Sequence, residues 1–442
     1  MFLGRKKIYT DTETIDRNNV VAILTDAMLT HTYNQTQEDY LWEYYKGKTP
    51  IYAKTKHYRD EINNIVSENR AMQITEFYEG YIFGEPVQYV CRAEDEKHDE
   101  IAWLNDKMVE KNKTALDEEL SEYLLVMGVC PRLILPSDET FELYTLDPRY
   151  AFNVYYSGLG EKCVMSVKFI TKKNGNAVYS VYTDRYYFEI EGDAIIKQET
   201  HLIGKCPMIE YTLNNVRMGI FEPVLTILDA IDTLQSSRMD DIQQFIESIL
   251  AILGAEIDED TLLRIKEWGA LALPEGADAK YLTSNLSQND IQKLKDDLMS
   301  AVIEITGMPN RNGNGSTSDT GSAVILRDGW QTADAKSKRI EIQFKKAERE
   351  MLSIVFDLSY AMDNVQLSNK DIDIRFTRRN YENIQTKAQV LVQMLDNDKI
   401  APELAFEYSG MFCDPLLAYR MSQPYIEKTE VEDERDKMSE VQ

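Results

Sequence analysis

The chain has 442 residues, 43% hydrophobic and 28% charged, the balance of a folded globular protein with about three domains' worth of chain, which excludes a disordered polymer. Acidic residues outnumber basic ones 75 to 49, a net charge of -26, so the chain lacks the Lys and Arg excess on which conventional nucleic-acid and anionic-membrane binders rely. Cys91, Cys130, Cys163, Cys206 and Cys413 stand far apart with no CxxC, which points to neither a zinc ribbon nor a disulfide framework and fits a reducing, intracellular origin.

Met1 to Thr10 carries basic residues without an apolar run behind them, unlike a signal peptide. Asn18 to Lys46 has apolar residues at helical spacing and breaks at Gly47 and Pro50. Tyr58 to Phe83 resumes that pattern and stops at Gly84-Glu85-Pro86, and Glu96 to Met127 reads as one more long amphipathic helix. After Pro131 the character changes. Arg132 to Leu135, Phe141 to Leu146 and Ala151 to Tyr156 read as short strands, and Cys163 to Lys172 and Ala177 to Ile190 flank Lys173-Asn174-Gly175-Asn176, a hairpin signal. With Ala194 to Leu202, residues 130 to 212 form an antiparallel β region between helical parts.

From Phe221 the helical period returns. Phe221, Leu225, Leu228, Ile231, Gln235, Met239, Ile242, Ile246, Ile249 and Leu253 recur at spacings of three and four, a seam for packing against other helices that predicts one helix of roughly 50 Å. The longest apolar stretch, Ile249 to Ala255, is too short to span a bilayer. A compact unit follows: a helix at Asp260 to Trp268 and strands at Ala270 to Leu273 and Ala279 to Thr283. Gln288 to Thr306 is a second amphipathic helix. Pro309 to Gly321 (PNRNGNGSTSDTG) holds nothing that builds a core and reads as a loop. A long helix is predicted from Ser322 to Met362, kinked at Gly329. Asp371 to Phe376 alternates as a strand, and Asn383 to Leu395, Pro402 to Tyr408 and Pro415 onward read as helices.

Catalytic signatures are absent: no GxxxxGK[ST], GxSxG, HExxH or GxGxxG. His31, His57, His98 and His201 are isolated, so no metal or cofactor is expected. The acidic runs Glu94-Asp95-Glu96 with Asp99-Glu100, and Asp258-Glu259-Asp260, precede helices, where carboxylates cap and favour the N-terminus. Their alternative reading is the site of a metal-dependent nuclease or another DNA-processing enzyme. Lys336, Lys338, Arg339, Lys345, Lys346 and Arg349 mix with acidic residues on one helix, the pattern of an ion-paired solvated face.

The order of parts resembles a family. CPMIEYTLNN followed by FEPVLTILDAIDTLQSSRMDDIQQFIESILAILG is similar to the approach to, and first stem helix of, the portal proteins of tailed siphophages, through Pro207, Glu210-Tyr211, Asn214-Asn215, Glu222, Leu228-Asp229, Asp232, Ser236-Ser237, Asp240-Asp241 and Gly254. YYKGKTP (Tyr44 to Pro50), EGYIFGEPVQY (Glu79 to Tyr89), ITGMPN, TGSAV (Thr320 to Val324) and DIDIRFTRRNYEN (Asp371 to Asn383) follow in the family's order, over about Tyr44 to Met421. The part after Tyr381 is short for this family, and the loop is richer in Asn and Gly.

The resemblance implies an α+β portal fold: a wing (1–219 with 322–384), stem helices (220–253 and 288–307), an α/β clip (254–287), a channel loop (308–321) and a short helical crown (385–442). It implies a non-enzymatic ring, typically a dodecamer, at one capsid vertex in the virion, assembled in the host cytoplasm, through which double-stranded DNA is packaged and ejected. Implied partners are further copies of the chain, the terminase motor, the head–tail adaptor, and the major capsid and scaffolding proteins, with no membrane. The channel loop would present Asn310, Arg311, Asn312, Gly313, Asn314, Gly315, Ser316, Thr317 and Ser318 to DNA. Leu228, Ile231, Gln235, Met239, Ile242, Ile246 and Ile249 would pack the stem, and Glu267, Trp268 and Lys280 would meet partners at the clip. Twelve helices at about 10 Å each make a perimeter near 120 Å and a bore of roughly 28 Å, wide enough for a duplex. An acidic wall keeps DNA centred without holding it.

Overall fold

The structure, a computed structural model, describes residues 4–56, 61–92, 97–173, 175–201, 203–246, 249–253, 278–282, 288–310, 329–377, 384–397, 399–412 and 415–425. The chain divides into two compact units: residues 1–42, 73–223 and 306–442 form one, and 43–72 with 224–305 form the other.

The larger unit is α+β, as expected. Helix α1 (Val20–Tyr45) lies within a residue or two of its predicted bounds. Strands β1 (Ile8–Thr10), β5 (Ala151–Tyr156), β6 (Cys163–Thr171), β7 (Ala177–Tyr182), β8 (Tyr186–Glu191) and β9 (Ala194–Thr200) form a six-stranded sheet in that order, parallel between β1 and β5 and antiparallel elsewhere. The predicted single run 177–190 is two strands, because the Thr183 hydroxyl accepts the N–H groups of Arg185 and Tyr186 and turns the chain. The α1 side chains Val20, Leu24 and Ala27 pack on Phe152, Val154, Val167 and Phe188 of this sheet. His31 stacks on Phe152 (4.3 Å), and burial lowers its pKa to about 4, so it is a neutral core histidine.

A second sheet has the order β10 (Met208–Thr212), β3 (Val129–Ser137), β4 (Thr140–Thr145). A third pairs β2 (Gln88–Cys91) with β13 (Ile372–Arg375), Tyr89 opposite Ile374. Helices α2 (Arg70–Ile82), α3 (His98–Glu110) and α4 (Lys113–Met127) replace two longer predicted helices. The run 96–127 breaks at Asn112, which adopts φ 52°, a left-handed conformation that Asn tolerates. The long helix α7 (Trp330–Asp363) begins immediately after Gly329 (φ 80°), the residue where a kink was expected. Its Met351, Leu352 and Val355 pack with Leu104, Met108, Ile134, Phe141 and Ile374, so α3, the second sheet and the third share one core. Helices α8 (Ile384–Leu395) and α9 (Pro402–Ser409) follow, and 415–425 is helical.

That core encloses a chain of charges. Arg132 on β3, fully buried, donates to Asp117 at 2.7 Å; Asp117 pairs with Lys113 at 2.5 Å; Lys113 reaches Glu348 on α7 at 2.9 Å. The hydroxyls of Tyr89 and Tyr211 also donate to Glu348. Two cations and two anions cancel, and α4, β2, β3, β10 and α7 are cross-connected.

In the smaller unit, helices α5 (Leu225–Ile246) and α6 (Gln288–Thr306, whose last residue belongs to the larger unit) accompany a hairpin of β11 (Ile249–Leu253) and β12 (Asp278–Leu282). The predicted helix 221–253 is therefore shortened. Pro223 lies in a 3-10 turn, Glu222–Val224, and the apolar run 249–253 is satisfied by strand pairing, a choice that periodicity in a short apolar run does not decide. The predicted strand at 279–283 corresponds to β12, shifted by one residue. Residues 62–69, predicted helical, are extended, and α2 starts at Arg70 with the Asn69 side chain accepting the Met72 N–H. The expected helix at Asp260 to Trp268, the strand at Ala270 to Leu273, the acidic runs 94–96 and 258–260 and the loop from Arg311 to Gly321 lie outside the described residues.

Replacing Asp117 with Ala takes from buried Arg132 the carboxylate it pairs with and leaves Lys113 only Glu348. Urea denaturation should show a loss of about 3–5 kcal/mol, the usual result of deleting one partner of a buried ion pair. An unchanged midpoint would refute the structural role assigned to this chain of charges.

Candidate functional site

Two features set the geometry of the predicted stem and channel segments: the lateral face of α5, and the base of the loop beyond residue 310.

On α5, Asp229, Asp232, Ser236, Asp240 and Gln243 are spaced 3, 4, 4 and 3 and so form one stripe. The chain from Tyr44 to Lys56 runs along it in one direction. The Tyr44 hydroxyl donates to Asp229 (2.9 Å), the Thr49 hydroxyl to Asp232 (2.8 Å), and the Lys54 and Lys56 ammonium groups to Asp240 (2.7 Å each). Residues 64 to 68 return along the same stripe. The backbone N–H of Asn64 donates to Asp240 (2.6 Å), that of Val66 to the Ser236 hydroxyl (2.9 Å), and that of Glu68 to Asp232 (2.8 Å). The spacing is matched. Four helical residues rise about 6.0 Å, and two extended residues span about 6.6 Å. Every second N–H of the extended segment therefore meets the next polar residue on the helix.

Burial raises the carboxyl pKa of Asp229. It works in the same sense on Asp240, but Lys54, Lys56 and the Asn64 N–H outweigh it and hold that carboxyl well below the usual range. Glu68 extends the array, accepting from Gln235 on α5 and Lys295 on α6, both at 2.6 Å, and from Arg70.

The apolar seam lies one residue away, about 100° round the helix. Leu228 and Ile231 are buried. Gln235 and Ile242 are half-buried, and Met239 is 46% exposed. Leu294 and Ile305 on α6 are also exposed. The side chains of Ile246 and Ile249 lie outside the described residues, as do Glu267 and Trp268; Lys280 lies on β12, its backbone opposite Ala251. The sequence reading missed the gripping function of the polar stripe. Its signal was present, as Asp, Asp, Ser, Asp at helical spacing beside the apolar seam.

The loop base is in the larger unit. Thr306, the last residue of α6, is buried, and its carbonyl accepts from the Tyr78 hydroxyl (2.6 Å) and the Lys336 ammonium (2.8 Å). A cation at a helix C-terminus opposes the dipole there. Burial lowers the Lys336 pKa to about 8. Gly307 follows with φ 74°, the left-handed turn that ends the helix. A Cβ on Gly329 would lie 3.9 Å from the Met308 carbonyl oxygen, so the chain returns to α7 beside the point where it left α6. Trp330 packs near Phe77 and Tyr81. Of the predicted loop residues, Asn310 is exposed at this base, and Arg311 to Ser318 lie outside the described residues.

Among the described residues, no group of three or more His, Cys, Asp or Glu side chains could hold a metal ion. No described helix is long and apolar enough to cross a membrane. Asp99 and Glu100 stand in the first turn of α3, where carboxylates favour the helix N-terminus, and Lys97, the residue before the helix, bonds Glu100.

Asp232→Ala removes the acceptor of the Glu68 N–H and of the Thr49 and Ser67 hydroxyls, which should cost roughly 1–3 kcal/mol in thermal or urea unfolding. It should also accelerate hydrogen exchange at Glu68. Asp240, with a depressed folded pKa, contributes stability that is present above its unfolded pKa near 4 and is lost as pH falls toward the folded value. Asp240→Asn should flatten that acid limb. An unaltered acid limb would refute the assignment.

A family model described as phage portal protein, SPP1 Gp6-like, matches residues 29–423. Among solved structures, the neck of an empty GTA particle computed with C6 symmetry is 10% identical with a TM-score of 0.45, covering 77% of this chain and 90% of that one. The neck of a native GTA particle computed with C12 symmetry is 9% identical with a TM-score of 0.44, covering 77% and 89%. No curated protein matches the chain.

Proposed function

The chain belongs to the SPP1 Gp6-like family of phage portal proteins, and from that membership we propose that it builds a closed ring, with twelve copies the expected number, at one vertex of a tailed-phage capsid. Double-stranded DNA enters and leaves through the centre, and the ring is a conduit with no catalytic step of its own. The observation that carries this reading is the family match across 395 of 442 residues, from 29 to 423.

The physical features of the chain support it. Met239 on α5 and Leu294 and Ile305 on α6 leave apolar surface in water, which a neighbouring copy would cover. The polar grip on the adjoining face of α5 holds that helix to its own chain and leaves the seam for a neighbour. On this reading α5 and α6 are the stem, and residues 254–287 are the clip that docks the terminase motor and head–tail adaptor through Glu267, Trp268 and Lys280. Residues 310–318 face the duplex, and the C-terminal helices face the capsid interior beside the scaffolding and major capsid proteins. The net charge of -26 suits a wall that repels phosphate and lets DNA slide. The loop base suits a channel loop, because Tyr78 and Lys336 fix where the loop emerges.

Two measurements test the proposal. Native mass spectrometry should find closed rings for the parent. Ile242→Asp, which puts a charge into the seam, should give mostly single subunits with an unchanged circular dichroism spectrum. Intact rings in that variant would refute the seam. Removing Asn312 to Ser318 should leave rings intact and impair packaging or retention of full-length genomes; parental packaging and retention would show the segment to be a linker only.

A further inference from the structure

Two of the cysteines are brought together by the fold. Cys163 opens β6 opposite Tyr155, beside a register shift between Val154 and Tyr155, and is half-buried. Cys206 is buried in the connection leading to β10, 43 positions later in the chain. Its thiol donates to the Cys163 carbonyl at 3.5 Å, and the Cys163 thiol lies 3.7 Å from the Ser166 hydroxyl. The residues flanking Cys206 are fastened to other elements. Lys205 pairs with Asp357 on α7 at 2.8 Å, and the Pro207 carbonyl accepts the Ile134 N–H of β3 at 2.9 Å. The connection that carries Cys206 is therefore anchored on both sides of the residue, with its thiol on the Cys163 carbonyl. The Cys163 thiol beside it, together with burial, pushes the Cys206 thiol well above its ordinary pKa, so Cys206 is the poorer first nucleophile of the two. Cys130, by contrast, is fully buried with its thiol on the Leu146 carbonyl at 3.6 Å.

We propose that Cys163 and Cys206 are an oxidation-driven staple: free thiols during assembly, and a disulfide once a particle leaves the reducing cytosol. The second half of that statement rests on the virion reading above. The oxidant is a small disulfide of the glutathione class. Cys163, the more accessible of the two, attacks as thiolate, forms a mixed disulfide and releases one glutathione thiolate. Cys206, losing its proton, then attacks the Cys163 sulfur and releases the second. Two protein thiols give up two protons and two electrons, and one glutathione disulfide becomes two thiols. The new bond ties the six-stranded sheet to the segment entering the three-stranded sheet and closes a loop holding β6 to β9.

The test uses the purified full-length chain treated with oxidised glutathione, quenched with iodoacetamide under denaturing conditions and mapped without reduction. The expected result is a loss of about 2 Da and one cross-linked peptide pair containing Cys163 and Cys206. Cys206→Ser should instead stop at the mixed disulfide, a gain of about 305 Da on Cys163. Cys163→Ser should leave Cys206 alkylated only. Alkylation of both cysteines in the oxidised parent, or pairing of Cys163 with another cysteine, overturns the proposal. Particles released by lysis should carry the same cross-linked peptide; its absence there, with the cross-link formed in the isolated chain, overturns the maturation role. A failure to form rings would refute the preceding reading and leave the cross-link chemistry standing, so the two failures are distinguishable.

Discussion

An extended segment that joins no sheet must still find acceptors for its N–H groups, since an unpaired buried one costs as much as a lost hydrogen bond. Residues 62–69 meet that constraint by lying on α5, where Asp240, Ser236 and Asp232 receive the N–H groups of Asn64, Val66 and Glu68. Much of the smaller unit depends on this match between the helical rise and the extended repeat. It fixes the face of α5 turned toward its own chain, and so which face stays outside that grip. It also places Glu68 where Gln235 and Lys295 reach it, which joins α5 to α6.

The larger unit solves a related problem with charge. Helix α7 runs past strands from two sheets, and Glu348, fully buried, would be intolerable there alone. Lys113, Tyr89 and Tyr211 surround it, and Lys113 leads through Asp117 to Arg132. Apolar packing brings α3, α7 and the sheets together, and the ion chain sets their register, because each partner accepts few geometries. An apolar core of the same volume often holds as tightly or more tightly, so the ion chain is no evidence of extra stability; what it adds is a set of directional contacts between named elements.

Both devices bear on the proposed ring, whose subunits would need rigid, repeatable surfaces. Helices held by several charge-assisted hydrogen bonds along one face keep the adjoining face in a fixed orientation. The base of the loop follows the same logic: the Thr306 carbonyl, gripped by Tyr78 and Lys336, defines a fixed exit point whatever the loop beyond it does.

Much of the fold was legible in local sequence. Most strands from 129 to 200, though not the break between β7 and β8, the helices α1, α6, α8 and α9 and the strand at 372–375 follow from hydrophobic period and from turn residues, both of which act over a few neighbours. The order of the motifs, from YYKGKTP to DIDIRF, carried the family. Three outcomes were decided only by tertiary structure. Residues 62–69 carry a helical pattern yet are extended, because acceptors on α5, some 170 positions away, reward that conformation. Residues 249–253 continue a helical seam yet form a strand, because β12 supplies a partner. Asp232, Ser236 and Asp240 were visible as a polar stripe, but what they hold was not, since a carboxylate on a helix looks the same in sequence whether water or a distant backbone N–H satisfies it. Periodicity records which side of an element turns away from water; only the folded chain says which distant group arrives there.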